Sequence, residues 1–134
     1  MLIFDLNWLA IVAAAVANMI IGAAWYGIFA EPWLEGIGQT REWANENQRP
    51  TDYLIAILNS VLMAFFLANV IRWAGVTGIL SGLMIGFFMW LGFNGFSFAS
   101  NHAFEDRSFK LWLVNSGVYL AGLLVIGAIL GAWQ

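Results

Sequence analysis

The chain has 134 residues, 62% of them hydrophobic and only 10% charged, with a net charge of −3 and no cysteine. A soluble domain carries about 25% charged residues, so this composition fails as a water-facing surface. The lack of cysteine excludes disulfides, thiolate nucleophiles and cysteine-based metal sites, and the acidic balance argues against nucleic acid as a partner.

Ionisable residues fall at Asp5, from Glu31 to Asp52, at Arg72 and from Glu105 to Lys110. Between them lie four uncharged stretches: Leu6–Ala30, Tyr53–Ile71, Trp73–Asn101 and Leu111–Gln134. Each can hold a helix of about 20 residues, enough to cross a bilayer. Only helices and closed barrels satisfy every backbone group in lipid, and these runs do not alternate as barrel strands do. The expected fold is all-α: one domain over residues 1–134, an integral membrane bundle of four transmembrane helices at about 6–29, 51–73, 78–101 and 109–133.

The first span starts where Asn7 or Asp5 can accept from free N–H groups of the first turn. Ala15-Val16-Ala17 has the form of a signal-peptide cleavage site, but no positive segment precedes it and the apolar run continues to Ala30. The stretch therefore reads as a retained span. Ala10, Ala14, Asn18 and Gly22 stand four apart and form a small-residue stripe with one amide. Small residues let backbones approach, and dispersion packing is what joins helices in lipid. Trp25-Tyr26 lies near the far end, where amphipathic rings favour the headgroup level. In the polar stretch that follows, Glu31-Pro32-Trp33-Leu34 is a helix start with proline in its first turn, and Thr40 is a further cap. A short interfacial segment is expected there, with Trp33, Leu34, Ile37 and Trp43 resting on the membrane surface.

Arg49-Pro50 blocks helix upstream of the second span, and Thr51 or Asp52 supplies its cap. This span carries Asn59, Ser60, Asn69 and Arg72, the last snorkelling to the headgroups. Ala74–Gly78 is a tight connection, so the second and third spans form an antiparallel hairpin. The third span holds no ionisable group up to Asn101, and Gly78, Gly82 and Gly86 recur every four residues along it. At about 100° per residue, Asn94, Ser97 and Asn101 continue the sector that Gly86 begins. The span is expected to be the central helix, with Gly82 and Gly86 against Ala14 or Asn18 of the first span. The fourth span carries Asn115, Ser116, Gly117, Tyr119 and the small pair Gly127 and Gly131.

Several motifs resemble a known family. They are Gly22 with Trp25-Tyr26, Trp90-Leu91-Gly92-Phe93, Phe104-Glu105-Asp106-Arg107, Asn115-Ser116-Gly117-Val118-Tyr119 and Gly127-Ala128-Ile129-Leu130-Gly131. In order and spacing they are similar to the small bacterial membrane proteins of domain-of-unknown-function family 1761. The resemblance covers nearly the full length. It implies a four-helix integral membrane protein of bacterial type, and it carries over no catalytic residue.

Every span contains an asparagine: Asn18, Asn59, Asn94 and Asn115. An unpartnered amide in hydrocarbon is costly, so these side chains should face the bundle and bond across helices. Asn94 is expected within hydrogen-bonding reach of Asn59 or Asn115, with Ser97 and Tyr119 nearby. This candidate polar cluster reads either as interhelical glue or as a solute site open to one membrane face. His102 is read as a loop or interface residue, and Glu105-Asp106-Arg107 as a solvated turn that pairs its own charges. No acid or base lies deep in a span, as proton-coupled transporters require. No nucleophile with a base, phosphate loop or metal-ligand set appears, so catalytic, cofactor and metal residues are expected to be none. Arg41, Arg49, Arg107 and Lys110 stand at one end of the spans against Arg72 at the other. That bias places both termini outside a bacterial cytoplasmic membrane. Two functions remain: a packing or accessory component that binds itself or a larger membrane complex, or an oligomeric channel or facilitated transporter for a small neutral or anionic solute.

Overall fold

Three helices begin where a side chain just upstream accepts from a free N–H group of the first turn. The computed structural model describes residues 1–134, with helices α1 (Trp8–Ile28), α2 (Ala30–Ile37), α3 (Arg41–Glu46) and α4 (Pro50–Ala74). They are followed by α5 (Ile79–Met89), a π-helical segment (Trp90–Gly95), α6 (Phe96–Phe104) and α7 (Phe109–Ala132). Four helices are long and apolar enough to cross a membrane: α1, α4, the continuous Ile79–Phe104 and α7. Asn7 Oδ1 accepts from the Ala10 N–H at 3.1 Å, Thr40 Oγ1 from Trp43 at 3.2 Å and Ser108 Oγ from Leu111 at 3.1 Å. At α4 the cap is Arg49, not Thr51 or Asp52, because proline is pre-set for the first helical position. The Asp52 carboxylate instead reaches back to the Arg49 N–H at 3.2 Å.

The α4–α5 connection turns on Gly75 and Gly78, whose φ values of +65° and +97° an L side chain resists. The segment between the first two spans forms α2 and α3. Leu34 is buried and α2 docks on α7, with Gly36 against the Leu111 side chain.

The core joins Ala10, Ile11 and Ala14 of α1, Ala64, Leu67, Ala68 and Ile71 of α4, and Leu123, Ile126 and Leu130 of α7. No residue of α5 belongs to it except by partial burial at its edge. The helix at the centre is therefore α7, which touches α1, α2, α4, α5, α6 and the π segment. The third span, expected at the centre, lies outboard on α7 and touches α4 sparsely. The reason is visible in α7, where small residues point in several directions. Gly117 meets the Trp25 ring, Gly122 meets the Asn18 amide, and Gly127 and Gly131 meet the α5 backbone.

The π segment corrects a second expectation. A π turn holds one residue more than an α turn, so it advances the phase of everything after it. The inward stripe moves by one position, from Ser97 and Asn101, which are exposed, to Phe98 and the buried His102. At the other end of the bundle the N-terminal strap is tied down. The Ile3 N–H donates to Asn69 Oδ1 at 2.6 Å, the Trp73 indole donates to the Met1 carbonyl at 3.2 Å, and Phe4 and Trp8 flank the Phe65 ring. The Gln134 amide donates to Val76 O at 2.8 Å, so both termini sit beside the α4–α5 turn.

Candidate functional site

Small residues set how closely the third span approaches its neighbour. Gly78, Gly82 and Gly86 lie against Gly131, Gly127 and the Leu123 carbonyl of the antiparallel α7. A Cβ on Gly82 would overlap the Gly127 carbonyl, and one on Gly127 would overlap that of Gly82. The approach is close enough for the Gly78 N–H to donate to Gly131 O across the pair at 2.7 Å. The expected partner, α1, is not the one found. Ala14 is buried instead in the α1–α4–α7 core, and Gly22 faces open space with nothing within 4 Å of a built Cβ.

The asparagines serve separate contacts. Asn18 Nδ2 donates to Ser60 Oγ at 2.9 Å, joining α1 to α4, while its Oδ1 fills the space beside Gly122. Asn59 Nδ2 points along its own helix to Met63 Sδ at 3.4 Å. Asn115 Oδ1 accepts from the Tyr26 hydroxyl at 3.1 Å. Asn94 Oδ1 is buried and receives no hydrogen bond. No direct hydrogen bond joins Asn94 to Asn59 or Asn115, and because α5 docks on α7 and touches α4 only sparsely, Asn59 is left aside. Ser97 is exposed, and the Tyr119 ring packs on Phe98 with centroids 5.6 Å apart.

Tryptophan supplies polar links that the asparagine pattern does not reveal. Trp25 Nε1 donates to Val114 O at 2.9 Å, Trp90 Nε1 to Ser116 O at 2.8 Å, and Trp112 Nε1 to Gly95 O at 2.8 Å. Each bond crosses between helices, and two of them hold the π segment to α7. Trp25, expected at the headgroup level, is thus an interhelical donor. The available signal was Gly95 and Gly117, since a Cβ at either would strike a tryptophan ring. His102 is not a loop residue: it is 7% exposed, within α6, and its Nδ1 has no partner.

Beyond the spans, the loop end carries the ion pairs Arg41–Glu31, Arg49–Asp52, Arg107–Glu105 and Lys110–Glu35, all substantially exposed. Exposed pairs are screened and contribute about 0–1 kcal/mol each. Between α2 and the α6–α7 turn an open cleft of about 540 Å³ is lined by Glu35, Gly36, Glu105, Arg107, Ser108 and Lys110, among others. No three His, Asp or Glu side chains converge as a metal site would need. Hydrogen bonding, close backbone packing and charge pairing are what this arrangement offers.

A family model described as Protein of unknown function (DUF1761) matches residues 9–131. The chain belongs to the DUF1761 family. The match runs from the first turn of α1 to the last turn of α7, so the DUF1761 unit includes all four spans, α2, α3 and the π segment. No curated protein and no solved structure matches this DUF1761 chain.

Proposed function

We propose that this DUF1761 protein is a non-enzymatic packing or accessory component of a bacterial cytoplasmic membrane, working through helix–helix contacts in a homo-oligomer or a larger membrane complex. The observation that supports this reading is the contact of backbone on backbone between α5 and α7. Where a methyl group has no room, a solute has no path. On the other side of α7 the space is filled by Ile11, Ala14, Ala64, Ala68 and Ile126. What remains for action is the outer surface, where Met84, Phe88, Phe93 and Phe96 of the third span are exposed. The protein would sit with both termini outside and α2 and α3 in the cytoplasm, on the count of four Lys and Arg at the loop end against Arg72 alone.

Chemical cross-linking in intact membranes, followed by purification in mild detergent and mass spectrometry, tests the reading. A cross-linked copy of the chain or a stoichiometric membrane partner is expected. Flux of small neutral or anionic solutes into proteoliposomes, above that of protein-free vesicles, would favour the channel or transporter reading and overturn this one.

A further inference from the structure

The third span carries two buried polar atoms that no protein group reaches, Asn94 Oδ1 and His102 Nδ1. Leaving such an atom unpaired costs more than an ordinary hydrogen bond contributes, and lipid chains have nothing to offer it. Both atoms lie on one stripe, since Asn94, Phe98 and His102 stand four apart. The extra residue of the π segment is what turns this stripe inward. Phe98 sets its position relative to α7: its ring lies 5.6 Å from that of Tyr119 and 6.2 Å from that of His102. The two helices run antiparallel: Gly82 meets Gly127, Gly86 meets Leu123, and Gly95 O accepts from the Trp112 indole. That register sets Asn94 level with Asn115, and His102 lies two turns nearer the loop. The Asn115 carbonyl is taken by Tyr26, which leaves its Nδ2 group to donate elsewhere.

We propose that water enters between α6 and α7 from the loop end and binds at His102 and, two turns deeper, at Asn94 and Asn115. Water has the chemistry these groups call for. It can donate to Asn94 Oδ1, exchange a hydrogen bond with the His102 imidazole and accept from Asn115 Nδ2. The inlet ends above Asn94. There the Trp90 indole bonds to Ser116 O at 2.8 Å, and beyond it Gly86 lies on the Leu123 carbonyl. Water would thus penetrate the loop-side part of the bundle without crossing it. This goes beyond the packing role proposed above and does not depend on it.

His102 is the only histidine in the chain and cysteine is absent, which makes the test clean. In the unaltered protein, labelled with ¹⁵N-histidine in detergent micelles, the imidazole should show magnetisation transfer from water. Transfer from detergent chains alone would overturn the proposal. Separately, Asn94→Cys should react with a water-soluble thiosulfonate at least tenfold faster than Ile126→Cys, a core position that is fully buried. Equal, negligible reaction at both, with Asn45→Cys reacting fully, would also overturn it. If Asn94→Cys does not fold, the spectrum of the unaltered protein decides.

Discussion

Replacing Gly82 by alanine adds one methyl group where α5 and α7 touch. That carbon would overlap the Gly127 carbonyl and crowd the Gly131 Cα, all backbone atoms of the central helix. Backbone cannot swing aside as a flexible side chain can, so relief has to come from parting the helices. A gap on the order of 1 Å forfeits roughly a quarter to a half of the dispersion energy of each contact along the seam. It also stretches the 2.7 Å bond from the Gly78 N–H to Gly131 O. Overpacking costs about 1–3 kcal/mol, and an interhelical hydrogen bond in a membrane contributes about 0.6–2 kcal/mol. The two overlap, so Gly82→Ala should destabilise by about 2–4 kcal/mol, a change of roughly 30- to 1,000-fold in the unfolding equilibrium. Gly22→Ala is the control, since nothing lies within 4 Å of its built Cβ. Its effect should stay within about 0.5 kcal/mol, or favour the variant slightly through helix propensity. Unfolding in mixed micelles of dodecyl sulfate and a mild detergent, followed by tryptophan fluorescence, measures both. Equal midpoints for the two variants would refute the packing argument.

Trp112→Phe removes the donor to Gly95 O, and should cost about 1–2 kcal/mol in the same assay, whereas Trp8→Phe, whose indole bonds only within its own segment, should change little. Asn69→Ala frees the Ile3 N–H, so limited proteolysis should remove residues 1–6 faster than in the parent while the spans stay intact. A double-mutant cycle on Asn18→Ala and Ser60→Ala should give a coupling of about 0.6 kcal/mol, up to about 1.7, and a coupling of zero would mean that their 2.9 Å contact contributes nothing. Asn45→Cys and a cysteine added after Gln134 should label from opposite sides of intact cells, and outside labelling at position 45 would reverse the proposed orientation.

The four spans were legible because charge is costly in lipid and therefore marks every boundary: Glu31, Asp52, Arg72 and Glu105 bracket them closely. The glycine repeat on the third span was legible as a place of close approach, but its partner was not. Ala10 and Ala14 on α1 stand at the same four-residue spacing as Gly127 and Gly131 on α7, and spacing alone cannot choose between them. Gly122 gives no such signal, because it stands five residues from both Gly117 and Gly127, off the four-residue glycine spacing. The positions of the polar residues depart from the sequence pattern for a different reason. Counting 100° per residue assumes unbroken α-helix, and the π segment Trp90–Gly95 violates it. Nothing in Trp-Leu-Gly-Phe-Asn-Gly announces an extra residue per turn. The bonds that hold the segment come from Trp90 and Trp112, whose partners lie far away in sequence.

The central position of α7 bears on how the protein is made. A ribosome delivers spans in chain order, so the helix that touches the other three spans emerges after them. Before it arrives, α1 and α4 can pair through Asn18 and Ser60, but α5 has only a sparse contact with α4. Its glycine seam waits against lipid. Release of the nascent chain before Phe109 would strand that seam without a partner, a form that membrane quality control could recognise by its exposed glycines. Completion of the bundle is therefore tied to the arrival of α7.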